Sequence, residues 1–166
     1  KKLYDFEYIL FIGNIKKHKG LWILLEAYEK SVNKGFDKKL IIVGSNKNFK
    51  TSDKKNAQII EKQNQNIIFS GNISNKELFN IIQNASLLIQ PSLYEGFGLP
   101  PLEAMYLGCN VLISDIPVFH EIYKDFPVEF FSLTDISMLS DKIINLSDKK
   151  RLDIDKIRPV INERYD

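Results

Sequence analysis

Leu87-Leu88-Ile89-Gln90-Pro91-Ser92-Leu93-Tyr94-Glu95-Gly96-Phe97-Gly98-Leu99-Pro100-Pro101-Leu102-Glu103-Ala104-Met105 reads as strand, turn and helix in succession. The run up to Gln90 is apolar on both faces, as strands of a buried parallel sheet are. Gly96 and Gly98 let the backbone turn sharply and approach a ligand closely. Pro100 and Pro101 stand where the first turn of a helix accepts proline, and Gly108 ends that helix.

The same alternation extends in both directions. Strand candidates are Tyr8–Gly13, Lys39–Gly44, Asn66–Ser70, Ala85–Gln90, Asn110–Ser114 and Val128–Phe131, each short and bounded by Gly, Asn, Ser or Pro. Between them lie helical periods. Gly20–Lys34 sets Leu21, Leu24, Leu25 and Tyr28 on one stripe, and Gly35 stops it. Ser74-Asn75-Lys76-Glu77 is a capping box ahead of Leu78, Ile81 and Ile82. Met138–Leu146 repeats Leu139, Ile143 and Leu146, and Asp153–Arg164 reads as a helix interrupted by Pro159. The polar, breaker-rich stretch Ser45–Lys55 reads as a loop. The alternation predicts an α/β fold, an open parallel sheet of roughly six strands with helices on both faces.

Composition removes several classes of function. The chain has 166 residues, 44% of them hydrophobic, enough for one domain with a core and no disulfide staple. Its apolar runs fall far below the ~18 residues of a membrane span. Lys1-Lys2-Leu3-Tyr4-Asp5 opens no apolar signal region, so a reducing cytoplasm is the expected location. The net charge of +2 gives no basic face, and arginine is confined to Arg151, Arg158 and Arg164. Nucleic-acid readers lean on arginine forks, so no nucleic-acid partner is expected. One cysteine, Cys109, and two histidines, His18 and His120, are too few for a Cys- or His-rich metal site. The first strand begins within ten residues of the start, and the last residues carry no helix stop, so the chain reads as a piece of a longer protein.

In such a sheet, ligands sit beyond the carboxyl ends of the strands at the switch point, so the loops after strands carry the chemistry. One is Gly13-Asn14-Ile15-Lys16-Lys17-His18-Lys19-Gly20. It is neither the G-x-G-x-x-G fingerprint nor a P-loop. Three lysines before a helix make it a phosphate site or, equally from spacing alone, a solvated basic turn. The other is the loop quoted above. Its helix start would favour an anion, while Glu95 and Glu103 can only accept hydrogen bonds when ionised. Carboxylates beside a phosphate cradle suit a ligand carrying both hydroxyls and phosphates. They can instead cap the loop and favour the helix N-terminus. Trp22 and Tyr28 read as helix-face packing, Cys109 as a small core residue, and His18 as exposed. Asp115 reads as a cap for a helix after Pro117, and His120 and Glu121 as solvated residues of that helix.

Glu95 to Glu103, within P-S-x-x-E-G-F-G-L-P-x-L-E-A-M, resembles the E-x7-E motif of the family-four (group 1) retaining glycosyltransferases. The first loop resembles that family's V-G-x-x-x-x-x-K-G turn, and Phe69-Ser70-Gly71-Asn72-Ile73-Ser74 with Glu77-Leu78 resembles its F-x-G-x-v-s-x-x-E-L segment. The resemblance runs from about Tyr8 to Leu146. It implies one Rossmann-like domain over residues 1–166, the C-terminal, donor-binding half of a two-domain GT-B enzyme whose N-terminal acceptor half is absent. By the same resemblance, Glu103 would accept from ribose hydroxyls and Glu95 would contact the donor sugar. Backbone N–H groups near Gly96, Phe97, Gly98 and Leu99 would hold the sugar and distal phosphate. Lys19 would neutralise the diphosphate, and Phe69, Ser70, Gly71 and Ile73 would border the base. Asn14 stands where many family members have arginine, and Lys16 would supply the missing charge. The implied partners are a nucleotide-sugar donor and a glycan or lipid-linked acceptor. No metal or cofactor is implied, and peripheral attachment at the inner membrane face would belong to the other half. The implied pathway is bacterial surface polysaccharide or glycoconjugate biosynthesis, and the fragment alone is expected to be inactive. A non-catalytic nucleotide-binding module and a Rossmann-like interaction domain are the alternatives.

Overall fold

The computed structural model describes residues 1–44 and 54–165. Its strands are β1 (Tyr8–Ile12), β2 (Lys39–Val43), β3 (Ile67–Phe69), β4 (Leu87–Gln90), β5 (Val111–Ser114) and β6 (Glu129–Phe131). Its helices are α1 (Leu21–Asn33), α2 (Lys54–Lys62), α3 (Asn75–Asn84), α4 (Leu99–Tyr106), α5 (Pro117–Tyr123), α6 (Ile136–Ser147) and α7 (Ile154–Tyr165).

All six expected strands form, and they pair in parallel in the order β3-β2-β1-β4-β5-β6. Alternation along each strand divides the core between the two faces of the sheet. Tyr8 and Leu10 join Ile41, Leu88 and Ile113 under α3, α4, α5 and α7. Ile9 and Phe11 join Leu40, Ile42, Ile89 and Leu112 under α1, α2 and α6. The chain runs outward from β1 to β3, then crosses back to place β4 on the other side of β1. That reversal puts the loops after β1 and β4 side by side at the switch point.

Several local expectations hold. Ser74 and Glu77 form the reciprocal capping box of α3. Tyr28 is buried, Trp22 packs against the same cluster, and Cys109 is buried beside β5. Burial pushes the Cys109 thiol up to about 12, which leaves it protonated and unreactive at neutral pH.

Other expectations need correction. Of Ser45–Lys55, read as a loop, residues 45–53 lie outside the described residues, and Lys54 and Lys55 open α2. Pro159 does not interrupt α7, because Ile157 and Ile161 on either side of it are buried in the core and hold the helix on course. Asp115 does not cap α5. Ile116, one position later, is the N-cap, and no side chain caps this helix start, where Pro117 occupies the first turn. The Asp115 N–H donates to the Phe131 carbonyl instead, at 2.9 Å.

The three arginines fasten the C-terminal segment to the body. Arg151 donates to the Ala85 carbonyl (2.6 Å) and the Leu107 carbonyl (3.2 Å), the residues that end α3 and α4. Arg158 donates to the Tyr106 carbonyl at 2.9 Å and lies 4.8 Å from the centre of the Tyr106 ring. Arg164 pairs with Asp125 at 3.3 Å and lies over Phe126. Cations at helix C-termini satisfy carbonyls that the helix itself leaves unpaired.

Candidate functional site

The two loops at the switch point approach each other through glycine. After β1 the chain makes a single 3-10 turn, Lys17–Lys19, closed by Gly20 in the left-handed region (φ 72°). A Cβ on Gly20 would lie 1.8 Å from the Pro91 carbonyl oxygen, so no other residue fits there without parting the loops. The Leu93 N–H donates to the His18 carbonyl at 2.8 Å and closes the contact. On the far side, a Cβ on Gly44 would meet the Gly13 carbonyl at 2.1 Å.

This approach brings Lys19 and Glu95 together across 76 positions of sequence. The Lys19 ammonium donates to both carboxylate oxygens, with Oε2 at 2.9 Å. Glu95 is only 6% exposed and Lys19 20% exposed, so the pair stands at the mouth of the crevice with its carboxylate turned in. Asn14 and Lys16 are exposed on the same loop and stand outside this pair.

His18 departs from the expectation of an exposed side chain. It is half-buried and stacks on Tyr94, with ring centroids 4.6 Å apart and planes 13° from parallel. Tyr94, itself 65% exposed, thus offers an aromatic face beside the Lys19–Glu95 pair. Its position next to Glu95 was the only signal in the sequence for it.

Gly98 caps α4 with φ 81°, and Leu99 is the first helical residue. Pro100 and Pro101 carry no N–H, so of the first three helical positions only Leu99 has a donor to offer an anion. The cradle is therefore the glycine loop itself rather than a full helix turn. A Cβ on Gly98 would sit 2.7 Å from Phe119 Cε1, and the Tyr123 hydroxyl donates to the Gly98 carbonyl. Both aromatic residues come from α5, the helix that also carries His120 and Glu121.

Glu103 sits in α4, half-buried. Burial raises its carboxyl pKa above the ordinary value. The sign follows directly. The folded chain disfavours the ionised carboxylate, so Glu103 destabilises the fold once pH exceeds the ordinary carboxylate range. Glu103→Gln should raise the thermal midpoint at pH 7, and the gain should vanish as pH falls below that range. A midpoint difference independent of pH would contradict this. Glu95 and Glu103 both lie near enough to the Tyr123 hydroxyl for their charges to oppose its ionisation.

The loop after β3 lies at the same end of the sheet, two strands from β1. Phe69, Ser70, Gly71 and Ile73 are all half-buried there, Gly71 has φ 68°, and the Ser70 N–H donates to the Ile42 carbonyl at 3.0 Å. Gly96 is exposed, with open space where a Cβ would stand. Among the described residues, no helix is long and apolar enough to cross a membrane.

A parallel sheet in this order, with two glycine-bearing loops and a Lys19–Glu95 ion pair at its switch point, defines an open, Rossmann-like α/β domain. The family model "Glycosyl transferases group 1" matches residues 2–158, and the chain belongs to that family. Among curated relatives, it is 46% identical over 56 residues to the O-antigen chain mannosyltransferase RfbU of Salmonella typhimurium, covering 34% of this chain and 16% of that protein. It is 33% identical over 116 residues to the serotype-specific mannosyltransferase WbdA of Escherichia coli, covering 70% of this chain and 14% of that protein. The chain thus spans a minor part of the curated relatives it matches. Among solved structures, the C-terminal domain of a glycosyl transferase group 1 protein (LpcC) from Francisella tularensis superposes with a TM-score of 0.69 at 25% identity, over 91% of this chain and 78% of that one. TarM superposes with a TM-score of 0.74 at 25% identity, over 100% of this chain and 34% of that one.

Proposed function

We propose that this chain is the donor-binding, C-terminal half of a two-domain retaining glycosyltransferase. The full protein would transfer a sugar from a nucleoside diphosphate to a glycan or lipid-linked acceptor held by its N-terminal half. The observation that carries this reading is the Lys19–Glu95 pair between the two switch-point loops, with Glu103 near the same crevice. The match to a solved C-terminal domain, over most of both chains, supports the domain assignment.

The chemistry follows from the groups present. Transfer breaks the bond between the anomeric carbon and the distal phosphate oxygen, and negative charge grows on the departing diphosphate. The Lys19 ammonium, once the donor has drawn it from Glu95, and the loop N–H groups from Gly96 to Leu99 stabilise that charge. Glu103 accepts from the ribose hydroxyls and Glu95 from the sugar hydroxyls, since an ionised carboxylate only accepts. Glu95 positions the sugar and is not assigned as a nucleophile. Phe69, Ser70, Gly71 and Ile73 border the base, and Lys16 replaces the charge that Asn14 lacks. No cofactor or metal is given a part in this reading, and no nucleic acid is a partner.

The names of the relatives favour a mannosyl donor and a surface-polysaccharide product. Calorimetric titration with UDP, GDP and ADP tests the reading. Saturable binding of one nucleotide, GDP first among them, should be weakened about tenfold or more by Glu103→Ala, the loss of hydrogen bonds to a charged acceptor. No binding of any of the three would overturn it.

A further inference from the structure

We propose that Tyr123 is a positioning residue for the donor loop: by holding the Gly98 carbonyl inward, it aims the Leu99 N–H outward at the distal phosphate. The inference rests on the donor-site reading above and adds a residue to it. In a trans peptide the C=O of one residue and the N–H of the next point in opposite directions within one rigid plane. The Tyr123 hydroxyl, on a fully buried side chain, donates to the Gly98 carbonyl from the core side. The Leu99 N–H of that same peptide plane must therefore face away from the core. Pro100 and Pro101 leave this N–H the sole donor among the first three helical positions.

Gly98 is also the N-cap of α4, so its carbonyl takes the first intrahelical bond and the Tyr123 hydroxyl is a second donor to it. Gly98 is in the left-handed region, and the Phe119 ring lies close beneath it. Tyr123 itself is held edge-on by Phe119 at 5.9 Å and Phe126 at 6.1 Å between centroids. Phe126 stacks on Tyr165 of α7, and Tyr165 packs edge-on against Phe97 at 5.5 Å. One chain of rings thus grips the loop at two successive residues, through the Phe97 ring and through the Gly98 carbonyl.

Tyr123→Phe removes the hydroxyl and keeps the ring. Tyr8 and Tyr28 supply matched controls, because each is buried and donates to a carbonyl remote from the site, Ile81 at 2.7 Å and Lys38 at 2.8 Å. The three Tyr→Phe variants and the wild-type 166-residue chain are titrated with GDP, UDP and ADP and with the corresponding monophosphates, and their thermal midpoints are recorded. All three variants should lose comparable stability. Only Tyr123→Phe should lose nucleoside-diphosphate affinity, roughly five- to tenfold, with little change for the monophosphate. A wild-type chain that binds, with Tyr123→Phe binding the diphosphate equally well, overturns this inference alone. So does an equal affinity loss in Tyr28→Phe. A wild-type chain that binds no nucleotide overturns the donor-site reading and this inference with it.

Discussion

Lys19→Ala should cost nucleoside-diphosphate affinity roughly 10- to 150-fold, the equivalent of about 1.5–3 kcal/mol for hydrogen bonds between charged groups. It should also destabilise the chain, by about 2 kcal/mol, because it strands a carboxylate that is 6% exposed. Glu95→Gln should behave differently on both counts. It leaves Lys19, whose longer stem is 20% exposed and can turn its ammonium to water, so the stability loss should be smaller. It also frees the ammonium from its carboxylate and removes a negative charge beside the phosphates. Free diphosphate should then bind as tightly as to wild type or a few times tighter, about threefold, while transfer by the full-length protein should be lost. In the unliganded chain the two groups satisfy each other, and a bound donor would separate them. Titration of the two variants beside urea unfolding reads both quantities. Equal affinity losses in Lys19→Ala and Glu95→Gln would sink this account.

Gly20→Ala is expected to be the most damaging glycine-to-alanine change among the described residues, at about 2–5 kcal/mol. Two causes add. The residue has φ 72°, which costs an L side chain about 1–2 kcal/mol. The new Cβ would also overlap the Pro91 carbonyl, a backbone atom that cannot swing aside, and overpacking of that kind costs about 1–3 kcal/mol or more. Gly35→Ala separates the two. Gly35 has φ 97° but nothing within 4 Å of its Cβ position, so only the backbone cost applies there. If urea unfolding showed equal losses for the two variants, the close approach of the loops would carry no weight.

The sheet was legible because its strands are fully buried. Tyr8-Ile9-Leu10-Phe11 and Leu87-Leu88-Ile89 have no polar face, and only a covered parallel strand tolerates that. Helix α2 was not legible, since Ile59 is the one apolar residue it buries and a single anchor makes no stripe. Pro159 misled because propensity is local while the burial of Ile157 and Ile161 is tertiary. At the site, Glu95, Gly98 and Glu103 could be named because they lie in one short segment whose glycines and carboxylates imply a ligand. Tyr123 and Phe119 could not. They look like core residues of another helix, and they are; only the fold shows that the core they fill lies directly beneath Gly98. The Lys19–Glu95 pair was hidden in the same way, each partner having been assigned to a different part of the ligand.

The scarcity of arginine has a consequence for how this domain can drift in sequence. Arg151 and Arg158 grip main-chain oxygens, those of Ala85, Leu107 and Tyr106. Those acceptors persist under almost any substitution at the three positions, because every residue carries the same carbonyl. The body of the domain can therefore vary beneath its last helix without losing the anchorage. Arg151 cannot vary so freely, since lysine has no fork with which to span two carbonyls at once. For these main-chain bonds the requirement is thus written on the arginine side, while Tyr106, Asp125 and Phe126 remain side-chain partners on the body.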